Sequence, residues 1–176
     1  SGCKGSYIRT LLNDSGLVGK HSNTKTVPSC VVQGGPDAWK GFLSGYFDAD
    51  GSIREKNKKQ TPAMYWSSVS LPMLQESQHL LSMLGIQSAI YSMSPGGPKK
   101  VMGKICESLP SWGLYIMGTS QLKKAAETLY PHHTEKAERL EEFLRAEPSR
   151  YREENFLYDR VVSIEEMGEG ETIGIE

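Results

Sequence analysis

Asp48 and Asp50 close a helical run and are followed at once by Gly51. Carboxylates, together with the backbone carbonyl of Gly51, are hard oxygen donors of the kind that suits Mg²⁺. The run starts at Gly35-Pro36-Asp37, with proline at or near the first helical position, where its missing N–H costs nothing. Asp50 therefore falls at a helix carboxyl end, where the dipole disfavours an anion by roughly 0.3–1 kcal/mol. A bound cation relieves that penalty. Gly51 stands where a residue beyond the C-cap takes positive φ. An ordinary Asp-Gly turn is the plain alternative. A calcium loop of the EF-hand pattern is excluded, because Ser52 and Ile53 occupy the positions of its third ligand and its glycine.

At about 100° per residue, Trp39, Phe42, Leu43, Tyr46 and Phe47 share one face of this helix, while Gly41, Ser44, Gly45 and Asp48 fall on the other. The bulky face requires a core. A stripe of small residues contributes little burial but lets another helix approach closely, and glycine costs roughly 0.5–1 kcal/mol relative to alanine inside a helix. Both faces thus read as buried, with a partner helix against the small one.

The stretch Phe42-Leu43-Ser44-Gly45-Tyr46-Phe47-Asp48-Ala49-Asp50-Gly51 closely resembles the signature of LAGLIDADG homing endonucleases. The resemblance implies that two such helices, with Gly41, Ser44, Gly45 and Asp48 at their interface, cross at a two-fold or pseudo-two-fold axis. It also implies that Asp50, with the Gly51 carbonyl, ligates Mg²⁺, or Mn²⁺ as a substitute, at the scissile phosphates. Paired metal ions of this kind stabilise the attacking and leaving oxygens of phosphodiester hydrolysis.

The segments after the motif extend the resemblance. Residues 52–58 and 63–70 read as strands joined by a basic loop, residues 74–84 as a helix ending at Gly85, and residues 86–93 and 112–117 as strands. Another strand is expected near 101–106, and Ser120 is placed to cap a last helix through Leu129. The expected fold is α+β, an αββαββα LAGLIDADG repeat whose curved antiparallel sheet straddles DNA. Ser22 to Pro28, around Lys25, and His133 to Leu140, around Lys136, resemble the lysine blocks flanking the second motif of intein-borne two-motif enzymes. A lysine beside a cleavage site can stabilise phosphate charge or orient water.

Residues 6–17 resemble the helix and turn that close a first repeat, yet no earlier acidic motif is present. One motif supplies half an active site. The chain is therefore expected either to pair as a homodimer or to lack a first LAGLIDADG repeat. The expected division is 1–35 as the end of a preceding repeat and linker, 36–148 as the endonuclease repeat, and 149–176 as a β-hairpin. That hairpin, from residues 158–164 and 171–176, resembles the start of the intein C-terminal splicing region. No terminal His-Asn pair follows it, so the chain as given is not expected to splice.

The 176 residues carry a net charge of −1, which looks wrong for a nuclease until it is divided along the chain. Between Ser52 and Lys104 seven Lys/Arg stand against two Glu, giving +5, whereas from His132 onward six stand against thirteen, giving −7. The basic portion lies where the sheet would meet DNA, with phosphate contacts supplying affinity and strand side chains reading the major groove. Candidate contacts to double-stranded DNA are Arg54, Lys56, Lys58, Lys59, Tyr65, Ser67, Tyr91, Lys99, Lys100 and Lys104, with Trp112 also weighed. Three cysteines without zinc spacing suggest a reducing, cytoplasmic setting, and no run of about 18 apolar residues indicates a membrane. Two other readings stay open. The same fold serves non-cleaving RNA maturases and transcription regulators, and the segment could be an inactive remnant of an intein.

Overall fold

Alternation of inward and outward side chains builds one antiparallel sheet. In the computed structural model, which describes residues 7–14, 16, 18–54, 62–129, 134–146 and 163–164, the elements run α1 (Tyr7–Asp14), α2 (Ser29–Gln33), α3 (Gly35–Asp50), β1 (Gly51–Arg54), β2 (Ala63–Ser68), α4 (Leu71–Met83), β3 (Ala89–Ser94), β4 (Gly97–Val101), β5 (Lys104–Ser108), β6 (Ser111–Met117), α5 (Thr119–Leu129) and α6 (Thr134–Ala146). The main sheet has the order β1-β2-β6-β3. β4 and β5 form a separate two-stranded sheet. The mixed α+β repeat is as expected, with this extra hairpin inserted between β3 and β6.

The register decides which side chains face the helices. Gly51 and Ile53 oppose Trp66 and Met64, and these in turn oppose Leu114 and Ile116. Met64, Trp66, Leu114 and Ile116 are fully buried, so this parity is the core face. It packs against Leu43 and Phe47 of α3, Leu74, Leu80 and Leu81 of α4, and Leu122, Ala125 and Leu129 of α5. Phe47 meets Trp66 edge to face with ring centroids 5.4 Å apart, a favoured aromatic arrangement.

The helix ends explain the boundaries. Ser70 caps α4, its hydroxyl accepting from the Met73 N–H at 3.4 Å. Gly85, at φ +72, closes α4 in a left-handed turn in which the Ile86 N–H donates to the Leu81 carbonyl at 2.8 Å. Helix α5 begins at Thr119, so Ser120 lies inside it rather than capping it.

Two expectations are corrected. The strand expected near 101–106 is split by the turn at Met102-Gly103 into the end of β4, which begins already at Gly97, and the start of β5. Gly51 does not take positive φ; at φ −75 and ψ 160 it is extended, and α3 passes directly into β1. Its glycine identity comes from close approach. A Cβ there would collide with the Phe47 ring and lie 2.6 Å from the Phe47 carbonyl oxygen. Lys56, Lys58 and Lys59, and all but residues 163–164 of the C-terminal hairpin, lie outside the described residues.

Candidate functional site

Asp50 is the last residue of α3 and is exposed. Beside it opens a cavity of about 590 Å³ lined by Ser22, Lys25, Tyr46, Asp50, Ser67 and Ser68, with Phe42, Val69 and Met73 completing the wall. The two sequence candidates Asp50 and Lys25 thus line one cavity, although they come from different segments.

The Lys25 segment has no regular structure, and α4 holds it. The Ser70 hydroxyl donates to the Lys25 carbonyl at 2.6 Å, and the Val27 N–H donates to Glu76 Oε2 at 2.6 Å. Ser70 is buried, so one hydroxyl both caps α4 and fixes the backbone that carries Lys25. The Lys25 side chain is exposed.

Tyr46 is the residue that pattern reading missed. Its position in the apolar stripe marks it for the core, and its ring does lie against Trp66, with centroids 6.2 Å apart. Its phenol nevertheless faces the cavity. Burial raises its pKa above the ordinary 10, the hydrogen bond with Ser68 works against that, and the negative charge of Asp50 adds to the rise. At neutral pH the phenol is therefore a protonated hydrogen-bond donor next to a carboxylate.

Lys136 is placed otherwise than expected. Its ammonium donates to the carbonyls of Phe47 at 2.9 Å and Asp48 at 2.8 Å, and lies 5.3 Å from the Phe47 ring centroid. It is not among the cavity's lining residues. The lysine satisfies carbonyls at the carboxyl end of α3 and opposes its dipole, holding in place the turn that presents Asp50.

The small face of α3 is divided. Ser44 is buried, and its hydroxyl donates to the Leu129 carbonyl at the end of α5. Gly41 and Gly45 are exposed, and a Cβ on either would meet nothing within 4 Å. Burial of both faces, expected from the pattern, is thus met within the chain only at Ser44. Asp48 lies between, half-buried.

The outward parity of the sheet gathers four of the described DNA-contact candidates. Ser52, Tyr65, Tyr115 and Ala89 form one cross-strand row, and Ser67, Gly113 and Tyr91 the next. Tyr65 stacks on Tyr115 with centroids 5.1 Å apart, Tyr91 meets Tyr115 edge-on at 5.7 Å, and the Arg54 guanidinium lies 5.2 Å from the Tyr115 centroid. Arg54, Tyr65, Ser67 and Tyr91 therefore share a face. Trp112 belongs to the opposite one, packed against the core, and Lys99, Lys100 and Lys104 are exposed on the β4–β5 hairpin.

Among the described residues no three His, Cys, Asp or Glu side chains cluster as a metal-binding group. Among the described residues that line the cavity Asp50 alone supplies a carboxylate, which fits a hard cation that completes its shell from water, substrate oxygens and a second acidic residue. Among the described residues no helix is long and apolar enough to cross a membrane.

Comparison with known proteins agrees with the motif. The chain is 32% identical over 75 residues to the ribonucleoside-diphosphate reductase NrdEB subunit alpha of Bacillus subtilis (strain 168), covering 42% of this chain and 7% of that protein. It is 30% identical over 95 residues to the replicative DNA helicase DnaB of Rhodothermus marinus, covering 53% of this chain and 10% of that protein. The chain thus spans a small fraction of the curated relatives it matches. The family model of the LAGLIDADG-like domain matches residues 37–130, more than half of the chain, from the first turn of α3 through α5, and the chain belongs to that family.

Proposed function

We propose that this chain is the motif-bearing part of a site-specific, intein-derived DNA endonuclease that hydrolyses phosphodiester bonds of double-stranded DNA with Mg²⁺ or Mn²⁺. The observation that carries the reading is the meeting of Asp50 and Lys25 at one cavity, at the end of a helix whose Gly41–Gly45 face is open. Similar segments within a reductase subunit and a helicase, each at a tenth of the protein's length or less, support a module carried inside unrelated host proteins.

In this reading Asp50, with the Gly51 carbonyl, would hold the divalent ion, whose chemistry when bound would be charge stabilisation at the phosphate and activation of a water. Lys25 offsets charge developing on the phosphate oxygens. Tyr46, a protonated phenol at neutral pH, donates a hydrogen bond at the cavity, and Lys136 positions the helix end. The outward sheet face with Arg54, Tyr65, Ser67 and Tyr91 meets the duplex. A second motif helix, from another copy or a preceding repeat, covers Gly41 and Gly45 and brings the second acidic residue.

The test is a cleavage screen of uninterrupted host-gene sequences, using the chain and the longer protein that carries it, with Mg²⁺, Mn²⁺ or EDTA. A metal-dependent double-strand break is expected. Asp50→Asn should abolish it while duplex affinity stays within about tenfold, because a metal ligand is lost and no base contact is touched. Undiminished cleavage by Asp50→Asn at matched Mg²⁺ refutes the assignment. Sequence-specific binding without cleavage by the wild type would instead identify a non-cleaving module.

A further inference from the structure

Among the described residues the β4–β5 hairpin pairs only with itself, and its tip departs from what its turn demands. Val101 pairs with Lys104, leaving the two-residue loop Met102-Gly103 with φ +50 and +83. Positive φ at both positions is the type I′ geometry, which favours Asn-Gly or Gly-Gly. Met102 is the only non-glycine residue with positive φ among the described residues. Holding an ordinary L-residue in the left-handed region is unfavourable because its Cβ crowds the following carbonyl oxygen. Burial does not offset that cost, since Met102 is 100% exposed, and Ile105 behind it is 78% exposed.

The charges around this apolar tip have one sign. Lys99, Lys100 and Lys104 are exposed on the two strands, and the hairpin's one acidic residue, Glu107, pairs with Pro98 near the opposite end. A cationic ribbon that presents a linear apolar side chain at its tip is complementary to a polyanion with a stacked apolar interior. Duplex DNA has that construction, and apolar wedges between base steps are a known means of unstacking and kinking it. The hairpin is inserted between β3 and β6, strands that contribute Tyr91 and Tyr115 to the outward face.

We infer that Met102 is a wedge. Resting on the duplex-DNA reading above, the hairpin tip enters a base step, while Lys99, Lys100 and Lys104 hold the neighbouring phosphates. Pyrimidine–purine steps, which unstack most easily, are its preferred points of entry. The turn fixes the backbone position from which the side chain projects at the apex, so only the methionine rotamers remain to be ordered when DNA arrives.

The experiment uses closed circular plasmid relaxed by a topoisomerase in the presence of the protein, in low salt without divalent metal. Wild type is expected to shift the linking number in proportion to bound protein. Met102→Asn, which suits the turn, should lose half or more of that shift per bound molecule while keeping the salt dependence of binding. Met102→Leu should retain the shift. Replacing Lys99, Lys100 and Lys104 by Ala should reduce the slope of log K against log salt by about 0.9 per contact. An undiminished shift for Met102→Asn at equal occupancy overturns the wedge and leaves the DNA reading intact. Failure of the wild type to bind plasmid overturns both. If Met102→Asn instead loses binding to phosphatidylserine vesicles and leaves the plasmid shift unchanged, the tip is a lipid contact and the inference is wrong.

Discussion

Replacing Lys136 by Met keeps most of the side-chain stem and removes the charge that joins α6 to the end of α3. The ammonium makes two hydrogen bonds to carbonyls, at 2.9 and 2.8 Å, and lies over the Phe47 ring. A hydrogen bond to a charged group contributes about 1.5–3 kcal/mol net, a cation at a helix carboxyl end about 0.3–1 kcal/mol, and an exposed cation–π contact about 0.5–1 kcal/mol. One half-buried ammonium makes all of these at once, so the contributions overlap and solvent screens them. A loss of about 2–3 kcal/mol is expected, partly offset by the new apolar contact of methionine with Phe47. For a chain of this size each kcal/mol moves Tm by about 2–4 °C, so circular-dichroism melts at pH 7 should show Tm lowered by about 4–12 °C. Lys136→Arg should recover part of it. Cleavage below the melting range should fall modestly, since Asp50 is still present but less firmly held. Loss of cleavage with unchanged Tm would refute this reasoning and place Lys136 in the chemistry instead.

Gly45→Leu should leave the stability of the isolated chain unchanged or raised by about 0.5–1 kcal/mol through helix propensity, because a side chain there enters open space. It should nevertheless abolish pairing with a second motif helix, as read by sedimentation with duplex DNA; unchanged assembly would remove that face from the interface. Tyr46→Phe should cost about 0.5–1.5 kcal/mol at neutral pH through the lost bond to Ser68. It should also flatten the alkaline loss of stability. With its folded-state pKa raised, the wild-type phenol supports folding fully below pH 10, and that support is lost as pH rises through the folded-state value, because the unfolded phenol releases its proton first. Equal Tm losses between pH 8 and pH 11 in the two proteins would contradict this.

The parts legible from sequence were those with a clean period. The apolar stripe of α3, with Leu43 and Phe47 fully buried, and the alternation of Met64 and Trp66 with Tyr65 announce their elements. The β4–β5 hairpin was harder to read because both of its faces are exposed, so no alternation marks it, and Pro98 beside two glycines imitates a plain turn. The extended Gly51 was missed because glycine after a helix usually signals positive φ, whereas here the Phe47 ring sets the constraint. At the site, Asp50 was marked by its motif and Lys25 by its resemblance. Tyr46 was hidden because an amphipathic tyrosine fits an apolar stripe whichever way its hydroxyl points. The placement of Lys136 rests on contacts 88 and 89 residues distant in the chain, which no local pattern carries.

That separation also sets a clock on biosynthesis. The α3 helix and its acidic end leave the ribosome long before the lysine that secures them, and Ser44 must likewise wait for the Leu129 carbonyl, 85 residues later. At synthesis rates of about 5–20 residues per second, the helix end is without its lysine for several seconds. During that interval the nascent chain already carries Asp50 but lacks both long-range anchors of the helix that presents it. A LAGLIDADG-like domain of this topology thus has the rigidity of its acidic helix end deferred by chain order, and messages truncated before α6 yield a motif whose helix end lacks its lysine anchor.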